Sequence, residues 1–429
     1  MFMVKKKRNV SKKKILRLFI IIISIVLIFG GIQYFLFSNN NSKTIKKTTN
    51  VSLKMDSYVN KDIKLLEEFA NSNNIKLEKS YEYSSTVLEG YVISQSIEKG
   101  AVISSKSLIK VVVSRGKITD ELLKENKVNE MGNVPIMMYH GIHHMSNNDT
   151  KYTGGNVDKD GYNRTTEAFR GDLEFYYQNN YRMIRLIDYV HGDIDVALGK
   201  SPIILTFDDG KENNFKVLGE ENGELVIDPN CAVGILEEFK KKYPDFHVTA
   251  TFFVNSGIFE QEEYNEKILK WLVSHGYDVG NHTMTHPDFT KIDASRTLKE
   301  VGNLYQILER IIPGKYVSII AMPFGSPYKK SHSNFDIMMH GDYEGLNYNT
   351  ESMLRVGWEA EVSPFSNEFD PTFLKRIRAY DNNGREFDIE MNFKILDSNR
   401  YISDGDKGVV TILDKDKDRV KTNKSVRIY

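Results

Sequence analysis

At 429 residues the chain exceeds one ordinary domain and predicts two or three units. With 40% hydrophobic, 11% aromatic and 27% charged residues it can build real cores, which excludes a wholly disordered chain. The formal net charge is zero, but Met1–Arg17 holds eight Lys or Arg and no acid, leaving 50 basic against 58 acidic residues elsewhere. A body of that sign excludes a nucleic-acid partner, whose phosphates require a basic stripe.

Directly after the basic segment (1–17), Leu18–Phe37 runs 20 residues without a charge. As a helix it spans ~30 Å, the thickness of a bilayer's hydrocarbon core. A cleaved signal peptide is the rival reading, but its apolar region is shorter and ends at an A-x-A-like site, which "SNNNS" does not supply. The expectation is one uncleaved N-terminal transmembrane helix with its lysines in the cytoplasm and the rest of the chain outside the cell membrane. Residues 38–50 are polar and read as a spacer.

Residues 51–117 predict a small α+β domain. Ile63, Leu65, Leu66, Phe69 and Ala70 fall at helical spacing behind the capping candidates Asn60 and Asp62. Three alternating segments follow, "IKLEKSYEYS", "GYVISQSIEKGAVIS" and "SLIKVVVSRGK", punctuated by Gly90, Gly100 and Gly116. The run Val87–Gly116, with its V-x-x-Q element, two glycines and closing "VVVSRG", resembles a PASTA domain, although Ile97 stands where that family usually has Pro. The resemblance implies an extracytoplasmic cell-wall module, acting either as a binder or as a spacer. Residues 118–133 read as a charged linker.

From residue 134 to 383, strand-like "PIMMYH", "YRMIRL", "SPIILTFDD", "VTATFFV", "YDVGNHT" and "VSIIAMPFG" interleave with helix-like "TEAFRGDLEFYYQNN", "GILEEFKKKYPDF", "EKILKWLVSHG" and "RTLKEVGNLYQILERII". This alternation predicts an α/β fold with a parallel sheet or barrel, whose active site gathers at the C-terminal ends of the strands. Cys231, the one cysteine, allows no intramolecular disulfide and reads as a buried small residue.

Asp208 and Asp209 stand at the end of such a strand. Alone, "DDGKEN" reads as well as a cap and turn. His282 and His286 alter that, being four apart beside a strand end and followed by Pro287. An extended chain would separate the imidazoles by ~13 Å, whereas one helical turn brings them to ~6 Å, within reach of a common ion. Two histidines and one carboxylate form a metal set that leaves a coordination position open. The neighbouring carboxylate then takes a proton from the attacking water, and the cation relieves the repulsion between the paired acids.

"TFDDG", "ATFFV", "HTMTHP" and "MPFG", in this order across roughly 134–380, resemble the polysaccharide deacetylases of carbohydrate esterase family four, the NodB-homology domain. The resemblance implies an irregular (β/α) barrel, one divalent metal ion, Zn2+ first, and removal of acetyl groups from glycans. It assigns Asp208 as general base and Asp209, His282 and His286 as metal ligands, with Thr206 and Phe207 as framing residues. Pro323 and Phe324 match the framework near the substrate, and Trp358 is a candidate for the acyl pocket, with core packing its alternative.

Two departures from the family pattern matter. "FLKRIRAYD" stands where the family supplies a histidine as general acid, and no histidine lies beyond His340. His140, in "IMMYHGI", is the candidate replacement, because first and last strands adjoin in a closed barrel. Its leading position resembles the branch acting on poly-N-acetylglucosamine; a buried, hydrogen-bonded histidine is the plain alternative. Ala321 and Met322 occupy the place of an arginine that orients the base, so the orientation of Asp208 has no explanation at this level. Residues 384–429 alternate like one or two hairpins. Together these features predict a membrane-anchored N-deacetylase of cell-wall peptidoglycan. A deacetylase of poly-N-acetylglucosamine is the alternative, and a catalytically inactive glycan-binding or sensing protein is the rival of another class.

Overall fold

The computed structural model describes residues 53–429. The expected basic segment, membrane helix and spacer lie outside the described residues. Among those described, no helix is long and apolar enough to cross a membrane. Compactness divides the described chain into two units, residues 53–54 with 102–104, and residues 55–101 with 105–429. The first is a short antiparallel pair, Leu53–Lys54 against Val102–Ile103.

In the second unit the polypeptide builds one large sheet from β1 (Ile136–Tyr139), β2 (Tyr181–Met183), β3 (Ser201–Phe207), β4 (Thr251–Val254), β5 (Asp278–Asn281), β6 (Ile319–Ala321), β7 (Ser352–Leu354) and β8 (Ile377–Arg378). Their order is β7-β6-β5-β4-β3-β1-β8, with β2 beside the start of β3, and every pairing is parallel. This is an α/β fold with a curled, half-barrel parallel sheet. Leu374, just before β8, bridges Leu354 at the end of β7.

Alternation along the strands separates two cores. Met137, Tyr139, Leu205, Phe207, Phe252 and Val254 point outward into a cluster with Phe169, Leu173, Leu236, Phe239, Leu269 and Leu272 from the helices Thr166–Gln178, Ala232–Lys242 and Asn265–Ser274. Ile136, Ile204, Phe253, Ile319 and Leu354 form a second cluster on the opposite face. Near the C-terminal ends of β1 and β3 that second face changes character, from Ile136 and Ile204 to His140, Thr206 and Asp208. Three of the helices begin on side-chain caps: Thr165 accepts from the Ala168 N–H, Asp293 from Arg296, and the Cys231 sulfur from Gly234. Burial pushes the Cys231 thiol up to about 11, consistent with an inert structural cysteine.

The small N-terminal module has the predicted helix, Ile63–Ser72, capped by Asp62. Its central strand Leu108–Ser114 runs parallel to Lys76–Glu82 and antiparallel to Val92–Gln95. Leu66, Ala70, Val92, Ile109, Val111 and Val113 are buried there. Gln95 of the V-x-x-Q element accepts from the Tyr58 N–H and donates to the carbonyls of Asp56 and Ile97, locking the preceding and following loops.

Two expectations need correction. The stretch 118–133 is not a bare linker: it forms a helix at Asp120–Glu125, and Ile118, Leu123 and Val128 bury together. The tail is not a hairpin. Ile389, Phe393 and Leu396 recur at helical spacing in Ile389–Asn399, which Asp388 caps, and Val409–Ile412 pairs in parallel with Ser425–Ile428. A parallel pair needs a crossover, which residues 413–424 supply. Glu130 is buried against the tail, accepting from the N–H groups of Asp404 and Thr411.

Candidate metal centre and active site

The site forms where β3, β5 and β6 end. Asp208 extends the ladder one residue beyond β3, its N–H donating to the Tyr139 carbonyl, and His282 does the same beyond β5 toward Val254. The chain then turns sharply. Asp209 (φ 75°), Thr283 (φ 66°), His286 (φ 56°) and Phe324 (φ 58°) all adopt left-handed backbone. Such conformations cost roughly 1–3 kcal/mol each and persist only where the surroundings enforce them.

These turns bring Asp209, His282 and His286 together, with one potential ligand atom from each lying within 4.8 Å of the others. Asp209 Oδ1 is 3.2 Å from His282 Nε2 and 3.7 Å from His286 Nε2. His282 and His286 do not share a helical turn; a loop with two left-handed residues joins them, and their ring centroids are 4.8 Å apart. Glu300, buried on the helix Ala294–Ile311, holds that loop by accepting from the N–H and hydroxyl of Thr285.

The hydrogen-bond pattern tests whether the three residues suit a cation. His282 Nδ1 faces the Ala321 carbonyl at 2.8 Å and must donate to it, so in the neutral ring Nε2 carries a lone pair. That buried Nε2 has no hydrogen-bond partner, yet it faces a carboxylate oxygen. Two acceptors turned toward one another are satisfied either by protonating the imidazole or by a cation among the three atoms. The donor set, two imidazoles and a carboxylate, fits a divalent ion with a position left open. Burial tends to raise the Asp209 carboxyl, but His282, His140 and His286 outweigh it and hold the group below the usual range. Burial lowers His286.

Asp208 does not join this cluster. It is 2% exposed, and Arg376, 0% exposed, grips both its oxygens at 2.8 and 2.7 Å. The same guanidinium donates to Thr206 Oγ1 and to the Arg355 carbonyl, so its plane is fixed at three points. Burial alone would raise the Asp208 carboxyl; the Arg376 charge prevails and lowers it. The orienting arginine therefore comes from the last strand region, not from the Ala321–Met322 position where the family pattern has it. The signal lay in "KRIRAYD": an alternating strand beside β1 sends Arg376 and Arg378 to the same face as Thr206 and Asp208.

His140 ends β1. Asn214 Nδ2 holds its carbonyl at 2.7 Å, Tyr162 packs edge-on against its ring at 5.0 Å, and its buried Nδ1 has no hydrogen-bond partner. Burial lowers the imidazole, opposed by Asp208 and Asp209. Pro323 is buried in a tight turn, while Phe324 is exposed with its ring 4.6 Å from that of His286. Trp358 is 53% exposed, which excludes the core-packing alternative, and its ring faces the Arg378 guanidinium. Glu300, Asn214 and Arg376 escaped notice in the sequence because each acts through another residue rather than through a motif of its own.

Residues 195–336 match the family model described as polysaccharide deacetylase, and residues 53–115 match that of the PASTA domain. The chain carries a polysaccharide deacetylase domain and a PASTA domain. The chain is 27% identical over 141 residues to a chitooligosaccharide deacetylase of Rhizobium leguminosarum bv. phaseoli, covering 33% of this chain and 52% of that one. It is 23% identical over 186 residues to the peptidoglycan-N-acetylmuramic acid deacetylase PdaC of Bacillus subtilis, covering 43% and 31%. It thus spans about half or less of the length of these curated relatives. The solved Streptococcus pyogenes deacetylase PplD in complex with acetate aligns at 20% identity and a TM-score of 0.42, over 58% of this chain and 93% of that one.

Proposed function

We propose that this protein is a metal-dependent polysaccharide N-deacetylase that hydrolyses acetyl groups from N-acetyl sugars of the cell wall, peptidoglycan first. The observation that carries the reading is the pairing of one three-ligand cluster, Asp209–His282–His286, with an adjacent carboxylate, Asp208, that is fixed but not part of it. A divalent cation at the cluster, zinc foremost, supplies Lewis acidity toward an acetyl carbonyl. Asp208, its orientation set by Arg376, accepts the proton of the attacking water. His140, directly after the strand between β3 and β8, gives a proton to the leaving amine; burial lowers its pKa, so the imidazolium is a strong donor once formed. Pro323 and Phe324 shape the entrance beside His286, and Trp358 offers an exposed ring for a sugar face.

The Leu354–Leu374 bridge supports reading the sheet as an irregular barrel with β8 at its seam. The apolar run Leu18–Phe37 and its basic flank support a single-pass anchor with the catalytic domain outside the membrane, and the PASTA domain supports a wall-facing location. Acetate release from peptidoglycan and from poly-N-acetylglucosamine tests the reading. Release from the first alone is expected; release from the second alone moves the substrate to an exopolysaccharide. Bound metal with no acetate from any glycan would leave an inactive binder.

A further inference from the structure

Among the described residues, the arginines with little exposed side chain each hold a carboxylate: Arg164 holds Asp172, Arg182 holds Asp245 and Arg376 holds Asp208. Arg378 differs. It lies two residues beyond Arg376 on the same face of the last strand, half-buried, its Nε is buried without a hydrogen-bond partner, and no carboxylate of the described residues forms an ion pair with it. Its guanidinium sits instead among three rings, 3.9 Å from the centroid of Tyr380, 5.2 Å from Tyr162 and 5.5 Å from Trp358. The acids that act on Tyr380 are engaged elsewhere, Asp388 with the N–H groups of Asn382, Gly384 and Met391 and Glu386 with the Asn382 side chain, and Glu359 pairs with Lys375.

The position is tied to the active site. Tyr162 is a shared neighbour, its ring 5.2 Å from the Arg378 guanidinium and 5.0 Å from the His140 ring. Arg378 also pairs in register with Met138, two residues before His140. The outer wall is built rather than loose. Gly357 packs so closely on Arg376 that a Cβ there would fall 1.7 Å from its carbonyl oxygen, and Asn392 holds the Trp358 carbonyl. Aromatic faces favour a cation but do not neutralise it, and a partly desolvated guanidinium without a counter-charge is stabilised by any oxyanion that reaches it.

We propose that Arg378 is the receptor for an oxyanion, a carboxylate or a phosphate, carried by the glycan close to the acetamide that is hydrolysed. The site then discriminates in favour of acidic amino-sugar chains over neutral ones, with Trp358 stacking on the sugar and the Arg378 fork taking the anion. This rests on the deacetylase reading for the location of the acetamide, but its test reads binding and does not require turnover.

The experiment is equilibrium titration of the full-length protein with three disaccharides: neutral di-N-acetylchitobiose, its phosphate monoester, and N-acetylglucosaminyl-N-acetylmuramic acid. The wild type should bind at least one anionic sugar about tenfold to a hundredfold more tightly than the neutral one, as expected for a charge-assisted hydrogen-bonded pair. The ratio should shrink with added salt. R378Q should bring it near one, and R378K should retain part of it. Preference for one anion over the other identifies the carboxylate or the phosphate as the source. A wild-type ratio near one for both anions, or a ratio undiminished in R378Q, overturns the proposal; if R378Q folds poorly, the wild-type ratio decides. Acetate release from the neutral sugar is scored separately, so failure of the deacetylase reading and failure of the Arg378 reading give different results.

Discussion

Replacing Arg376 by Met removes both donors from Asp208 while leaving the Asp209–His282–His286 cluster untouched. The two hydrogen bonds, 2.8 and 2.7 Å long, join groups that are 0% and 2% exposed, so the carboxylate left behind is buried and unpaired. Breaking a buried pair from one side costs about 3–5 kcal/mol. The pH dependence has a definite sign. In the wild type the folded-state value of Asp208 lies below its unfolded value, so its stabilisation is complete above the unfolded value and is lost as pH falls through the folded one. In R376M burial loses its largest opponent and only His282 and His140 still act against it, so the group moves up and the variant's deficit is greatest at neutral pH and narrows on acidification. Denaturant melts at pH 7 and pH 5 read this, alongside acetate release, which should fall by ~10²–10⁴ as the base loses its orientation. Metal content should stay at the wild-type level. An R376M protein within about 0.5 kcal/mol of wild type at pH 7, with undiminished turnover, would refute the reasoning.

Three further outcomes are expected. H140N should lower kcat by at least ~10², and a rate within about tenfold of wild type removes His140 as proton donor. E300A frees the loop that carries His286, so metal affinity should fall about 10- to 100-fold in a chelator competition; unchanged affinity would mean the loop holds itself. Asp404, 1% exposed, is raised to about 6, chiefly by burial, so its stabilisation is present below the unfolded value and is lost as pH rises through about 6. Stability should therefore increase between pH 7.5 and pH 5.5, by ~1 kcal/mol from this group. In D404N that gain should be smaller, and a gain equal to wild type assigns the effect to other groups.

Much of this architecture was legible because the strands and helices of the α/β region carry unmixed periods. "SPIILTFDD" has seven consecutive buried positions before its acids, and the helix after Asp293 places Val301, Leu304 and Leu308 on one side. The paired acids and paired histidines were legible because local spacing encodes them. What escaped depends on contacts between distant segments. Arg376 is 168 residues from Asp208, and the alternation in "FLKRIRAYD" does not by itself say which carboxylate its arginines meet. The helix Ile389–Asn399 was hidden by its polar residues, which soften the 3.6-residue period that Phe393 and Leu396 carry. The histidine loop follows no regular period, because left-handed residues at 283 and 286 place its rings.

The central claim is that Asp209, His282 and His286 grip one divalent ion while Asp208 stands beside it unligated. Elemental analysis of purified wild type, D208N, D209A, H282A and H286A, with acetate release measured on the same samples, tests it most directly. About one metal per chain is expected in wild type and in D208N, which should be inactive, with metal and activity both lost in the other three. Metal retained in H282A and H286A, or lost as completely in D208N as in D209A, would contradict the account.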